Sequence, residues 1–89
     1  MPLHENLSHS FLFHTKQLDQ FIVDNTIMND RYVDLSHVPH SDEHLFIVYN
    51  GSLLNEGSSN DFTLTGQRID FTAGFILNMN DLILAIYRY

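Results

Sequence analysis

Apolar and polar positions alternate along Phe62-Thr63-Leu64-Thr65 and again along Arg68-Ile69-Asp70-Phe71-Thr72, which predicts two strands with one wet face each. Gly66-Gln67 between them reads as a short turn, so the two strands pair as a hairpin. Leu45-Phe46-Ile47-Val48-Tyr49 runs into Asn50-Gly51, the pair that best accepts the positive φ angles of a type I′ turn, and Ser52-Leu53-Leu54 returns as a second hairpin. The final segment carries Leu82, Leu84 and Ile86 on one alternating face and Ile83, Ala85, Tyr87 and Tyr89 on the other. Its β-branched and aromatic content favours a strand over a helix, and a strand apolar on both faces is covered twice.

The first forty residues carry a weaker pattern. Ser10-Phe11-Leu12-Phe13-His14 and Phe21-Ile22-Val23 read as strands, and Thr15 to Ile22 admits a turn or short helix between them. Asp24-Asn25 and Asn29-Asp30 flank Ile27-Met28, so 24–30 is expected to be a loop with an apolar tip. Tyr32-Val33-Asp34-Leu35-Ser36 alternates as a strand, and Val38 to Glu43 ends it with a loop, because Pro39 cannot sit inside a central ladder. About seven short strands at intervals of about ten residues, joined by Gly, Asn, Asp and Ser turns, describe an all-β fold, either a compact antiparallel β-sandwich or a small barrel. Residues 1–89 are expected to form one domain, in which 1–40 either complete the sandwich or reach out as an anchoring arm.

Composition narrows the function. At 89 residues with no Cys, the chain has a small core and no disulfide to reinforce it, so association with copies of itself is expected. Four basic residues against eleven acidic ones leave a net charge of −7, and Lys16, Arg31, Arg68 and Arg88 are scattered along the chain. Binding phosphates needs clustered cations, so neither nucleic acid nor an anionic membrane surface is an expected partner. The start Met1-Pro2-Leu3-His4-Glu5-Asn6 has no signal-peptide pattern, and Leu82 to Tyr87 is too short for a helical membrane span.

Six histidines are the main oddity. His37, His40 and His44 would share one face of a helix, as metal ligands require, but Pro39 and the strand-like flanks favour a solvated loop or a pH-sensitive contact. His4, His9 and His14 recur every five residues and collect on no single face. Asn78, Asn80 and Asp81, like Asn60 and Asp61, lack the spacing of a calcium loop and read as turn residues. There is no thiol, no nucleophile elbow and no phosphate-binding glycine loop, and a carboxylate pair such as Asp61 and Asp70 has nothing in the sequence to place it in a cleft. The expectation is a non-enzymatic protein without cofactor or metal. Tyr49, Tyr87 and Tyr89 with Phe46 and Phe75 offer either core packing or a sugar-stacking surface.

One stretch is suggestive as a whole. Leu35-Ser36-His37-Val38-Pro39 leads in; Leu45 to Leu54 carries the Asn50-Gly51 hairpin; Asp61-Phe62-Thr63-Leu64-Thr65-Gly66 and Ile69-Asp70-Phe71 follow; and Asn80-Asp81 precedes Leu82 to Tyr87. This series resembles a β-module recurrent in tailed-bacteriophage virion proteins, with Asn80 where the module commonly has Gly. The resemblance spans about residues 35–87 and implies a structural role in a phage particle, as head decoration or cement, or as a tail, baseplate or fibre component. It implies synthesis in the host cytoplasm, residence in the virion, and other virion proteins as partners besides the chain itself, with a trimer favoured. The contact is expected on Phe46 and Val48 or on Ile83, Ala85 and Tyr87, whichever set does not face the sandwich interior, with Asn50, Gly51 and Gly66 as turn residues. A different class, a stand-alone module recognising a host glycan or host protein, is the alternative.

Overall fold

Two short sheets lie face to face in the computed structural model, which describes residues 15–89. The elements are strand β1 (Lys16–Ile22), helix α1 (Asn25–Asp30), β2 (Tyr32–Asp34), a 3₁₀ turn (Asp42–His44), β3 (Phe46–Tyr49), β4 (Ser52–Leu53), β5 (Phe62–Thr65), β6 (Arg68–Phe71) and β7 (Leu82–Arg88). The first sheet has the order β1-β7-β3-β4 and the second β2-β6-β5, and every pairing of named strands is antiparallel. The fold is therefore a seven-stranded β-sandwich and not a closed barrel.

Local chemistry sets both hairpins. Asn50 and Gly51 take φ of 47° and 86°, as a type I′ turn requires, and bring Tyr49 opposite Ser52. Gly66 takes φ of 62° at the first turn position between Thr65 and Arg68, where a side chain would be strained. Asn80 also lies in the left-handed region, at φ 70°, which asparagine tolerates better than most residues.

Two expectations are corrected. Residues 24–30 are not a loop: Asp24 caps α1 by accepting the Ile27 amide at 2.9 Å, and Ile27 and Met28 pack half-buried against the core. Six helical residues are too few to show a 3.6-residue period, so the cap was the readable signal. Nor does 15–22 contain a turn or helix, because β1 runs unbroken beside β7 from Lys16↔Arg88 to Ile22↔Leu82. The expected strand at Ser10 to His14, and His4, His9 and His14, lie outside the described residues.

Ile47, Ile83, Ala85 and Tyr87 from the first sheet meet Val33, Phe62, Ile69 and Phe71 from the second, with Val23, Leu35, Leu45 and Leu77 closing the ends. Arg31 ends α1 in the left-handed region at φ 63°, and its guanidinium donates to the carbonyls of Thr72 and Phe75, tying the 72–75 turn to the helix.

Candidate functional site

The outer faces of the two sheets differ in kind. On the second sheet, Tyr32, Asp34, Thr63, Thr65, Arg68 and Asp70 alternate with the core residues, and Arg68 pairs with Asp34 at 3.2 Å while lying 3.8 Å from the Tyr32 ring centre. That is an ordinary solvated surface.

The outer face of the first sheet is apolar. Strand register aligns Leu18, Ile86 and Phe46 in one row across β1, β7 and β3. The next row is Gln20, Leu84, Val48 and Leu53, and the third begins Ile22, Leu82. Leu18, Ile22, Phe46, Leu53 and Ile86 keep between 42% and 59% of their surface exposed, so nothing among the described residues covers this face. These side chains form one contiguous apolar patch across the four strands. Gln20 is its one polar member.

Of the two apolar sets named from the sequence, Ile83, Ala85 and Tyr87 point inward and are at most 1% exposed, whereas Phe46 and Val48 belong to the outer face. The outward role therefore falls to Phe46 and Val48, joined on β7 by Leu82, Leu84 and Ile86. Leu18, Ile22 and Leu53 complete the exposed patch and were in neither of the sets named from the sequence. Their signal was alternation: Leu18 and Ile22 face outward once 16–22 is a strand.

What fixes β7 this way round is a polar cluster at the sandwich edge. Asp19 points inward from β1 and accepts hydrogen bonds from the Tyr87 hydroxyl at 2.6 Å, the Ser36 amide at 2.9 Å, the Ser36 hydroxyl at 2.8 Å and the Gln17 amide group at 2.8 Å. The Tyr87 hydroxyl also accepts the His37 amide at 3.1 Å, and the His37 ring stacks on Tyr89 with centres 3.6 Å apart. Burial alone would raise the Asp19 pKa, but the donors from Tyr87, Ser36 and Gln17 outweigh it and hold the carboxyl at about 2. Burial and the neighbouring Asp19 push the Tyr87 phenol up. A carboxylate so acidic is a poor proton acceptor at neutral pH, and here it serves as an anchor for the 35–37 turn.

A second anchor closes the other end, where Tyr49 donates to Asp81 and accepts the Asn78 amide at 3.0 Å, and Asn50 Oδ1 accepts the Leu82 amide at 2.8 Å. The hydrogen bond from Tyr49 lowers the Asp81 pKa, and burial together with Asp81 raises that of Tyr49. The tyrosines are thereby used internally. Tyr87 is buried and Tyr49 packs edge-on against Phe75, so the sugar-stacking surface considered from the sequence is not assembled. Asp61 accepts the Asn55 amide and Asp70 lies between Tyr32 and Thr63, so these carboxylates serve a loop and a strand. Among the described residues no three His, Asp or Glu side chains gather as a metal would need, and no helix is long and apolar enough to cross a membrane.

The apolar face has charged ends. Lys16 and Arg88, opposite one another in the ladder, line with His44, Phe46 and Ile86 an open cleft of about 330 Å³ at one end. At the other, β1 leads through Val23 to the exposed Asp24. Comparison with protein-family models, curated proteins and solved structures finds no match to this chain.

Proposed function

We propose that this chain is a non-enzymatic structural subunit of a tailed-bacteriophage particle, self-associating and docking on neighbouring virion proteins as head decoration or as a tail or fibre component. The observation that carries the assembly reading is the apolar outer face of the β1-β7-β3-β4 sheet, standing opposite an ordinary polar face on the other sheet. Water-exposed apolar surface of this extent is a standing source of association free energy, on the order of 25 cal/mol for each Å² covered. The phage setting is supported by the resemblance of residues 35–87 to the virion β-module, whose hairpins at Asn50-Gly51 and Gly66-Gln67 the fold uses as turns.

The test is mass-spectrometric detection of the chain in purified particles of the phage that encodes it, followed by incorporation of a Phe46→Lys variant. Phe46 is half-exposed and points away from the core, so the variant is expected to fold and to be lost from particles. Absence of the unaltered protein from particles refutes the virion reading, and undiminished incorporation of the variant refutes the role of the face.

A further inference from the structure

The outward residues of β1 are Lys16, Leu18, Gln20 and Ile22, and two residues further along the chain is the exposed helix cap Asp24. Read about Gln20 the set is self-complementary: Lys16 mirrors Asp24, Leu18 mirrors Ile22, and Gln20 mirrors itself. We propose that a second copy of this chain covers the apolar face, packed sheet on sheet about a twofold axis that runs across the strands along the row of Gln20, Leu84, Val48 and Leu53. The proposal rests on the assembly reading above and names the occupant of its surface.

Two in-plane twofold axes can bring one sheet face onto a copy of itself. An axis along the strands sets β1 over β4 and keeps the basic ends of both copies, each with Lys16 and Arg88, at the same end of the pair, where like charges gather. An axis across the strands inverts one copy, so that the basic end of each lies over the Asp24 end of the other and the charges attract. The same axis sets Gln20 against its symmetry mate. A glutamine set in an apolar interface needs polar partners, and two facing amides supply each other with one donor and one acceptor. Facing Leu53 instead, as the first axis would require, Gln20 would be left unpaired.

Asp24 can serve both roles. One carboxylate oxygen takes the Ile27 amide as the helix cap, which leaves the other for Lys16 of the facing copy. The face runs across all four strands of the sheet, the contiguous apolar surface that a sheet-on-sheet contact covers. A trimer, by contrast, asks each copy for two different contact surfaces, and the first sheet offers one.

The absence of cysteine makes the geometry testable by single-cysteine variants of the full chain, treated with a bismaleimide short enough to span the ~10 Å between packed sheets. Gln20→Cys and Leu53→Cys are each expected to yield covalent dimer with their own copy, whereas Lys16→Cys alone is not. Sedimentation of the unaltered chain is expected to show a concentration-dependent monomer and dimer. Edge-to-edge pairing through β1 would link Gln20→Cys but place the two Leu53 positions roughly 30 Å apart, so a linked Gln20→Cys with an unlinked Leu53→Cys overturns the proposal. So does a monomer at every concentration. If the cross-links fail while Phe46→Lys is still lost from particles, the face docks on a different subunit, and only the twofold falls. If they form in a protein absent from particles, the twofold stands and the virion reading falls.

Discussion

Replacing Asp19 with Asn tests whether the inward carboxylate of β1 stabilises the fold through its charge. The side chain keeps its shape but exchanges a carboxylate with four donors for an amide that accepts at one atom. In the native fold the Asp19 carboxyl titrates at about 2, against 3.8 when free of the fold, a gap worth roughly 2 kcal/mol at 1.36 kcal/mol per unit. Asp19 lies on an edge strand and is partly open to water, so screening reduces the expected loss to about 1–1.5 kcal/mol. A folded pKa below the unfolded one gives stability that is complete above pH ~4 and disappears as the pH falls through about 2. Asp19→Asn should therefore unfold roughly 5–10 °C earlier at pH 7, and the difference should close below pH 2, where both side chains are neutral. Thermal unfolding followed by tyrosine fluorescence at pH 7, 4 and 2, at two protein concentrations to separate association, measures it. A gap of equal size at pH 7 and pH 2 would refute the electrostatic account and leave shape as the cause.

Substitutions at three further positions, with a fourth as control, bear on the frame that presents the apolar face. Gly51→Ala has space for its methyl group but forces a β-carbon onto φ of 86°, and should lower the urea midpoint by about 1 kcal/mol of stability. Arg31→Ala removes the two hydrogen bonds to the Thr72 and Phe75 carbonyls and should cost about 2–3 kcal/mol; Arg31→Gly, which relieves φ of 63°, should recover part of that in the same titration. Ala85→Leu inserts a larger side chain where Ala85 is wholly buried between the sheets, and should cost about 1–3 kcal/mol without altering the outer face. Arg68→Ala, on the exposed polar face, should leave the midpoint unchanged and serve as the control.

The hairpins were legible because their turns carry the residues their backbone angles demand, Asn50-Gly51 and Gly66, between runs of period two. β7 was legible as a doubly covered strand for a similar reason, since apolar residues occupy both alternating sets. Which set faces inward was not legible, because that choice is made at long range by the grip of Asp19, Ser36 and His37 on the Tyr87 hydroxyl. β1 was misread because its polarity is inverted. Gln17 and Asp19 point toward the interior while Leu18 and Ile22 point to water, and Leu18, Phe21 and Ile22, spaced three and one apart, imitate a helical stripe. A half-buried strand ordinarily shows the opposite, so the pattern obscured the strand.

That inversion also bears on the twofold pairing proposed above. β1 is an edge strand seven residues long, the kind of edge that invites a further strand to add to the sheet. Asp19 places a charge on the inner side of this edge, held by four donors of its own chain, and an added strand would have to pack against it. Lys16 adds a second charge on the outer side. Growth of the sheet by edge addition is thus opposed on both faces of β1, while stacking on the apolar face is favoured. Edge addition can repeat without limit, whereas a twofold contact uses up the face of each copy once it has formed. In the twofold pair proposed above, inward acid and outward aliphatics on one strand would act together, opposing open-ended sheet growth and leaving the polar faces of the β2-β6-β5 sheets as the outer surfaces.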